Sequence, residues 1–418
     1  MESAFRARWE EPSVEPSITN ATTPATADDY VLVGGGLQNA LITLALLERR
    51  PAARLCLIER DARIGGNHTW CFHEGDVPVA ARPWLDRLVV RRWAAHEVIF
   101  PSYRRRLPEA YAAIDSERLQ REVEAAIARA PHARIIKACV REVEPDGVIL
   151  DGGQRLAAQL VVDARGPEHA TMAAGGYQKF LGLDLALDGG TPPDVPILMD
   201  ATVEQRDGFR FMYVLPWAHD RVLIEDTYYS DRPELDAAVS RQRVLQYARQ
   251  LGLGVREVLR EEHGVLPIPT RLGQQPGHAP PLRAGYAGGL FHPTTGYSLP
   301  VAVRLALHLA ARPAHAALGE EYARWLRPHH QQVRFCLGLN RMLFDAFAPE
   351  QRHHVLERFY RLPVETIRRF YALELSQTDR ARILCGRPPR GFSLRRWLAR
   401  SVSGSRAPRP LISRGPSV

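Results

Sequence analysis

Apolar and polar positions fall into three kinds of pattern along this chain. Between residues 29 and 61 an apolar run at Val31 to Val33 is followed by Gly34, Gly35 and Gly36. An apolar-rich helical stretch starts near Leu37, and a second run, Leu55 to Ile58, closes on Glu59. That order predicts strand, tight turn, helix, strand. A further apolar strand within "LVVDARG" (160 to 166) ends in a polar turn at Asp163. Strands are expected again near 197 to 203, and then the period becomes two, with Phe209, Phe211, Tyr213 and Leu215 on one face. A short turn at His219 and Asp220 leads into "RVLIEDTYYS" (221 to 230), so the pair reads as a hairpin walled with aromatics. A helical run covers 236 to 251, and beyond Ala310 the chain reads as helices bounded by Pro313, Pro349, Pro363 and Pro388.

The hairpin carries an anomaly. Glu225 and Asp226 adjoin in a strand that is otherwise built for burial. Successive strand side chains point to opposite faces, so Glu225 shares a face with Leu223, Thr227 and Tyr229, and Asp226 with Val222, Ile224 and Tyr228. The two therefore do not form a dyad with each other. Glu225 reads either as an acid/base group or as a partner for one of the many arginines, and Asp226 as an anchor of the hairpin.

The glycine turn at 34 to 36 fits a dinucleotide site. Gly34 permits the turn, Gly36 lets backbone amides approach a pyrophosphate at the helix start, and Glu59 falls where a ribose hydroxyl is bound. The third glycine position of that motif holds Asn39, followed by Ala40. "RIGGNHTW" (63 to 70) follows, placing Gly65, Gly66, Asn67 and His68 where flavoproteins lay backbone against the cofactor. Together with the Asp163 strand and "RAGYAGGLFHPTTGYSLPVAVRLALHLA" (283 to 310), which contains Gly296 and Tyr297, these segments point to FAD rather than NAD. A helix start near Ser298 and Pro300 would face an anionic flavin ring with its positive dipole end. His292 and Tyr297 either assist proton traffic or hold the turn.

Composition narrows the class without deciding it. The 418 residues are 45% apolar and 24% charged, ordinary for a chain of two or three globular domains. Five scattered cysteines with no Cys/His cluster at metal-ligand spacing predict reduced thiols, a cytoplasmic setting and no metal. No apolar run is long enough to span a membrane. The net charge of +8 is concentrated at the end of the chain, where ten arginines and no acidic residue follow Asp379. Interleaved with Phe392, Leu394, Trp397 and Leu398, these arginines suit either an anionic lipid surface or a solvated tail. No motif supports nucleic-acid binding. The stripe Phe335, Leu339, Met342, Leu343 and Phe344 is either core or a surface for lipid or substrate.

Seven segments carry a family pattern: "GGNHTW" (65 to 70), "FPSYRRRL" (100 to 107), "ILMDATV" (197 to 203), "VLIEDT" (222 to 227), "GLFHPTTGYSLP" (289 to 300), "LNRMLF" (339 to 344) and "FYRLP" (359 to 363). From Asp29 to about Pro389 the chain resembles the bacterial lycopene β-cyclases of carotenoid biosynthesis, departing from them at Ala40. The resemblance implies cyclisation of lycopene through a monocyclic intermediate to β-carotene, without net oxidation. It implies FAD in the reduced form, with NADPH as electron source, and Glu225 as acid/base. It implies carotene substrates and peripheral association with the inner face of the membrane. A flavin monooxygenase, a prenyl-chain reductase and a non-catalytic carotenoid-binding flavoprotein are the competing readings.

The expected fold is α/β, a two-domain flavoprotein with a Rossmann-like FAD/NAD(P)-binding domain, an inserted antiparallel β-sheet substrate domain and a helical C-terminal region. The expected boundaries are a disordered leader at 1–28, a discontinuous FAD domain at 29–190 and 276–325, the substrate domain at 191–275, helices at 326–390 and a basic tail at 391–418.

Overall fold

A computed structural model describes residues 27–166, 174–271, 279–386 and 388–402. Most of the leader and residues 403–418 of the basic tail lie outside the described residues. The first strand, Asp28–Val33, begins inside the expected leader. It lies at the centre of a sheet in the order Ala133–Lys137, Leu55–Glu59, Asp28–Val33, Arg155–Asp163, Gly147–Leu150, Val140–Glu144, with Leu282–Arg283 added beside Arg155–Asp163. The neighbours of Asp28–Val33 run parallel to it. Both faces of such a sheet are covered, which explains its continuous apolar runs. Helices Leu37–Arg49 and Leu299–Ala310 pack on one face around Leu41, Leu44, Val303 and Leu305, and the hairpin bearing Val148 and Leu150 covers the other.

A second sheet of seven strands has the order Gly254–Pro269, Ala174–Gly189, Arg221–Ser230, Phe209–Ala218, Ile197–Asp200, His96–Phe100, Tyr103–Leu107. It is larger than the expected segment 191–275. The strand Ala174–Gly189 and the hairpin His96–Leu107 fall within the stretch read as cofactor domain, yet they hydrogen-bond into this sheet. The alternation of Leu181, Leu183, Leu185 and Leu187, all buried, supplies one apolar face of the added strand. A small sheet of Thr69–His73, Tyr111–Asp115 and Arg91–Trp93 completes the strands described. The long helix Glu320–Ala346 starts ahead of residue 326, so the expected boundary there falls inside a helix.

Both faces of the Arg221–Ser230 strand are buried, and this accounts for its composition. Val222 and Ile224 pack with Leu183, Val214, Val244 and Tyr247 under helix Ala237–Gln250. Leu223 and Tyr229 face the other way, with Phe209, Phe211, Leu343 and Phe344. Leu343 and Phe344 from the aromatic stripe are therefore core. Arg352, fully buried, ties the C-terminal helices to the hairpin by donating to Asp231 at 2.6 Å and to the Tyr229 carbonyl at 3.3 Å.

Asp226 is fully buried on the helix side, where it accepts from Arg210 and from the Tyr228 hydroxyl, each at 2.6 Å. Removing one member of a buried ion pair leaves the other charge uncompensated. Asp226→Ala is therefore expected to lower stability by about 3–5 kcal/mol, measured by urea unfolding followed by circular dichroism.

Candidate functional site

A cavity of about 790 Å³ lies between the two sheets and is walled by both. Its nucleotide side is built by the turn after Asp28–Val33. Gly34 has φ +90°, a backbone region that L side chains rarely adopt, and an added Cβ would meet the Ala164 carbonyl oxygen at 3.2 Å. Gly36 precedes helix Leu37–Arg49 in extended geometry, and nothing lies within 4 Å of the place its Cβ would take. Glu59 accepts from the backbone N–H of Gly35 at 2.6 Å and from that of Asp61 at 2.9 Å. Each carboxylate oxygen keeps capacity for a further donor such as a ribose hydroxyl.

Gly65, Gly66 and His68 line the next part of the wall, and Gly296 and Tyr297 close it. Helix Leu299–Ala310 points its N-terminus at the same space, with Ser298, Leu299 and Ala302 on the wall. An open crevice edged by glycines, a helix start and an acid fits an elongated anionic dinucleotide such as FAD.

Two expected cofactor residues stand off the wall. Asp163 is buried and ion-paired to Arg165 at 2.8 Å, and it is Arg165 that reaches the cavity. Asn67 is exposed. It donates to the Glu261 carbonyl at 2.8 Å and accepts from Arg260 at 3.2 Å, so it joins the glycine loop to the second sheet. Their sequence neighbours Gly66, His68 and Arg165 line the cavity, while these two side chains turn elsewhere.

The opposite wall is apolar and aromatic: Phe180, Leu198, Phe211, Tyr213, Tyr229 and Tyr371 among others. Trp217, which continues the alternation of Phe211, Tyr213 and Leu215, packs on Trp93 with ring centroids 5.9 Å apart. Tyr371 belongs to helix Val364–Tyr371 and was not foreseen, because only the fold brings that helix end to the cavity.

Glu225 is set in this aromatic wall. It lies directly across from Tyr213, whose hydroxyl is 3.1 Å from that of Tyr111. It is half-buried and lines the cavity. Burial, and after it the neighbouring Glu262, pushes its carboxyl well above the usual range. Desolvation and a neighbouring carboxyl both favour the protonated form of such a group.

Beyond Tyr297 lies a second buried polar group. The Tyr297 hydroxyl accepts from the His73 backbone N–H at 3.0 Å and donates to Asp76 at 3.3 Å. Burial raises Asp76 to about 8. His73, His96 and Glu109 bring their ligand-type atoms within 4.8 Å of one another, a grouping that sequence spacing does not reveal. His292 engages backbone with both ring nitrogens, at 2.9 Å to the Phe370 carbonyl and 3.2 Å from the Thr294 N–H, so it holds the turn.

A family model described as "Lycopene cyclase protein" matches residues 29–396. The chain belongs to the lycopene cyclase family. Among its relatives in that family, the lycopene beta-cyclase of Pseudescherichia vulneris is 44% identical over 86% of this chain and 94% of its own. That of Pantoea ananas is 42% identical over 86% of this chain and 95% of its own. Among solved structures, a geranylgeranyl bacteriochlorophyll reductase-like protein from Thermoplasma acidophilum has a TM-score of 0.62 at 13% identity. The superposition covers 86% of this lycopene cyclase family member and 96% of that protein, and it shows a shared fold.

Proposed function

We propose that this protein is a lycopene β-cyclase, an isomerase that closes the ψ end groups of lycopene to β-ionone rings through γ-carotene to β-carotene. The observation that carries this reading is Glu225, a carboxyl set in an aromatic wall of the same cavity that the glycine turns and Glu59 line.

The reaction needs a proton at an isolated alkene, attack by the neighbouring alkene on the resulting tertiary carbocation, and loss of a ring proton. Glu225 gives the first proton, the O–H bond breaking as a C–H bond forms, and takes the last one back, so the hydrogen count of the carotene is unchanged. Phe211, Tyr213, Tyr229 and Tyr371 keep water from the cation, and their π faces stabilise it by roughly 2 kcal/mol or more where contact is dry. Gly34, Gly36, Glu59, Gly65, Gly66, Arg165 and Tyr297 line the cavity and would hold FAD. Bound in its reduced form, with NADPH as the electron source, FAD supplies negative charge beside the cation. A monooxygenase or reductase reading shares the fold but not the family match.

The decisive experiment is to incubate the purified protein anaerobically with reduced FAD and lycopene in liposomes made in deuterated water. One deuterium gained per ring with an unchanged hydrogen count is the expected result. Addition of oxygen or of hydrogen overturns the reading.

A peripheral membrane position on the cytoplasmic face fits a substrate that is stored in lipid. No helix among the described residues is long and apolar enough to cross a membrane. Leu384, Phe392, Leu394 and Leu398 are each exposed, and in sequence they are interleaved with the arginines that follow Asp379. Leu394→Glu with Leu398→Glu is expected to cut binding to anionic liposomes at least tenfold in co-sedimentation, while turnover of detergent-dispersed carotene stays the same.

A further inference from the structure

Glu225 is not alone in its row. On the strand Ala174–Gly189, Gly182 pairs with Glu225 on one side and with Glu262 on the other. Directly opposed residues in adjacent strands share a face, so both glutamates rise on the same side of the sheet with only a glycine between them. Strands lie about 4.8 Å apart, so the two backbones are separated by two such spacings, a gap that two glutamate side chains span when nothing stands between. A Cβ on Gly182 would lie 2.7 Å from the Glu225 Cγ. The glycine is what allows the two carboxyls to meet, and they stand within hydrogen-bonding reach.

The two members differ in surroundings. Glu262 is only 3% exposed and is absent from the cavity wall. It accepts from Arg260 at 3.1 Å, and Arg260 is itself anchored by donating to the Thr69 hydroxyl at 2.6 Å. Its Oε1 is buried and finds no donor among the N–H and O–H groups described. A protonated Glu225 carboxyl supplies the missing donor. Two facing carboxyls away from bulk water require at least one shared proton, and the Arg260 donor at Glu262 biases that proton toward Glu225.

We propose that Glu262 is a positioning residue for the cyclisation, a carboxylate fixed by Arg260 that reaches Glu225 over Gly182 and retains on Glu225 the proton delivered to the carotene. The proposal rests on the reading of Glu225 as proton donor. When the proton leaves, the pair carries two negative charges against the one positive charge of Arg260, which favours the nearby cation and makes Glu225 a strong base for the ring proton that returns.

Other charged and titratable groups around the pair are Cys71 on the small sheet, Tyr213 on the adjacent strand with Tyr111 at its hydroxyl, and His68 and His263 near Arg260. Asp184, in the next pair along the row, is ion-paired to Arg221 at 2.6 Å and lies 4.0 Å from Arg260. Asp226 and Arg210 lie on the opposite face.

The test uses FAD-loaded protein and two readouts. One is an infrared titration of the protonated-carboxyl C=O band, without substrate, with the band missing from Glu225→Gln assigned to Glu225. The other is the pH profile of ring closure. Glu262→Gln keeps a hydrogen-bonding side chain but removes the charge, so the band and the alkaline limb of activity should both move down by at least about one pH unit. Arg260→Gln removes the cation that steadies the pair's negative charge, so both should move up. Opposed shifts establish the pair. Midpoints that coincide with the parent's, or that move in the same direction in both variants, overturn it, since a merely structural residue changes amounts and not midpoints. Should Glu262→Gln fail to fold, an Arg260→Gln midpoint that does not rise overturns the proposal by itself. If the parent makes no rings while the infrared midpoints still move apart, the cyclase reading fails and the carboxyl pair stands.

Discussion

Glu225→Gln is expected to lower ring closure about a thousandfold, with carotene products measured by chromatography and FAD retention by flavin absorbance. The amide matches the carboxyl in size and still hydrogen-bonds to Glu262, so the sheet and cavity are retained. It has no acidic proton to give to an alkene, and that proton opens the reaction. FAD retention should be unchanged, because the glycine turns and Glu59 belong to other strands than Glu225. Glu225→Asp keeps the acid but withdraws it by one methylene from both alkene and Glu262, so an intermediate loss is expected. Since the protonated form is the active one and its pKa is raised in the fold, parental activity should be flat through neutral pH and fall only as pH rises through that elevated value. An amide variant that closes rings at the parental rate removes Glu225 from the mechanism.

The parts of this site legible in the sequence were those written in local periodicity. Glu225 and Asp226 adjoin in the chain, and the two-residue repeat alone assigns them to opposite faces; the structure gives one to the cavity and the other to Arg210. The Gly34 turn and the helix at Leu37 follow from residues a few positions apart. What could not be read depends on contacts between distant segments. Glu262 meets Glu225 only because Gly182 separates them in the sheet, and nothing in "REEHGVLPIP" (260 to 269) announces it except an alternating Arg260, Glu262, Gly264. The strand Ala174–Gly189 falls within the expected cofactor domain at 29–190, although its leucines alternate as a two-sided strand requires. Tyr371 arrives from a helix whose own sequence carries no sign of a substrate wall.

Gly36→Val is expected to separate cofactor loss from fold loss. Gly36 has φ −67° and ψ 179°, an extended geometry that a β-branched residue adopts readily, and open space lies where the new side chain would begin. The fold should therefore tolerate valine, with stability changed by no more than about 1 kcal/mol in urea unfolding of the FAD-free protein. That open space is the crevice where backbone amides at the helix start meet an anionic pyrophosphate, and valine methyls there hold the phosphates away from their donors. FAD affinity should fall at least a hundredfold, about 3 kcal/mol, by fluorescence titration. Gly34→Val must behave differently: at φ +90°, with Ala164 backbone 3.2 Å from the new Cβ, it strains the turn itself and should lower stability along with FAD binding. If Gly36→Val retains FAD as the parent does, the crevice beside it does not hold the pyrophosphate, and the cofactor would have to lie along another wall of the cavity.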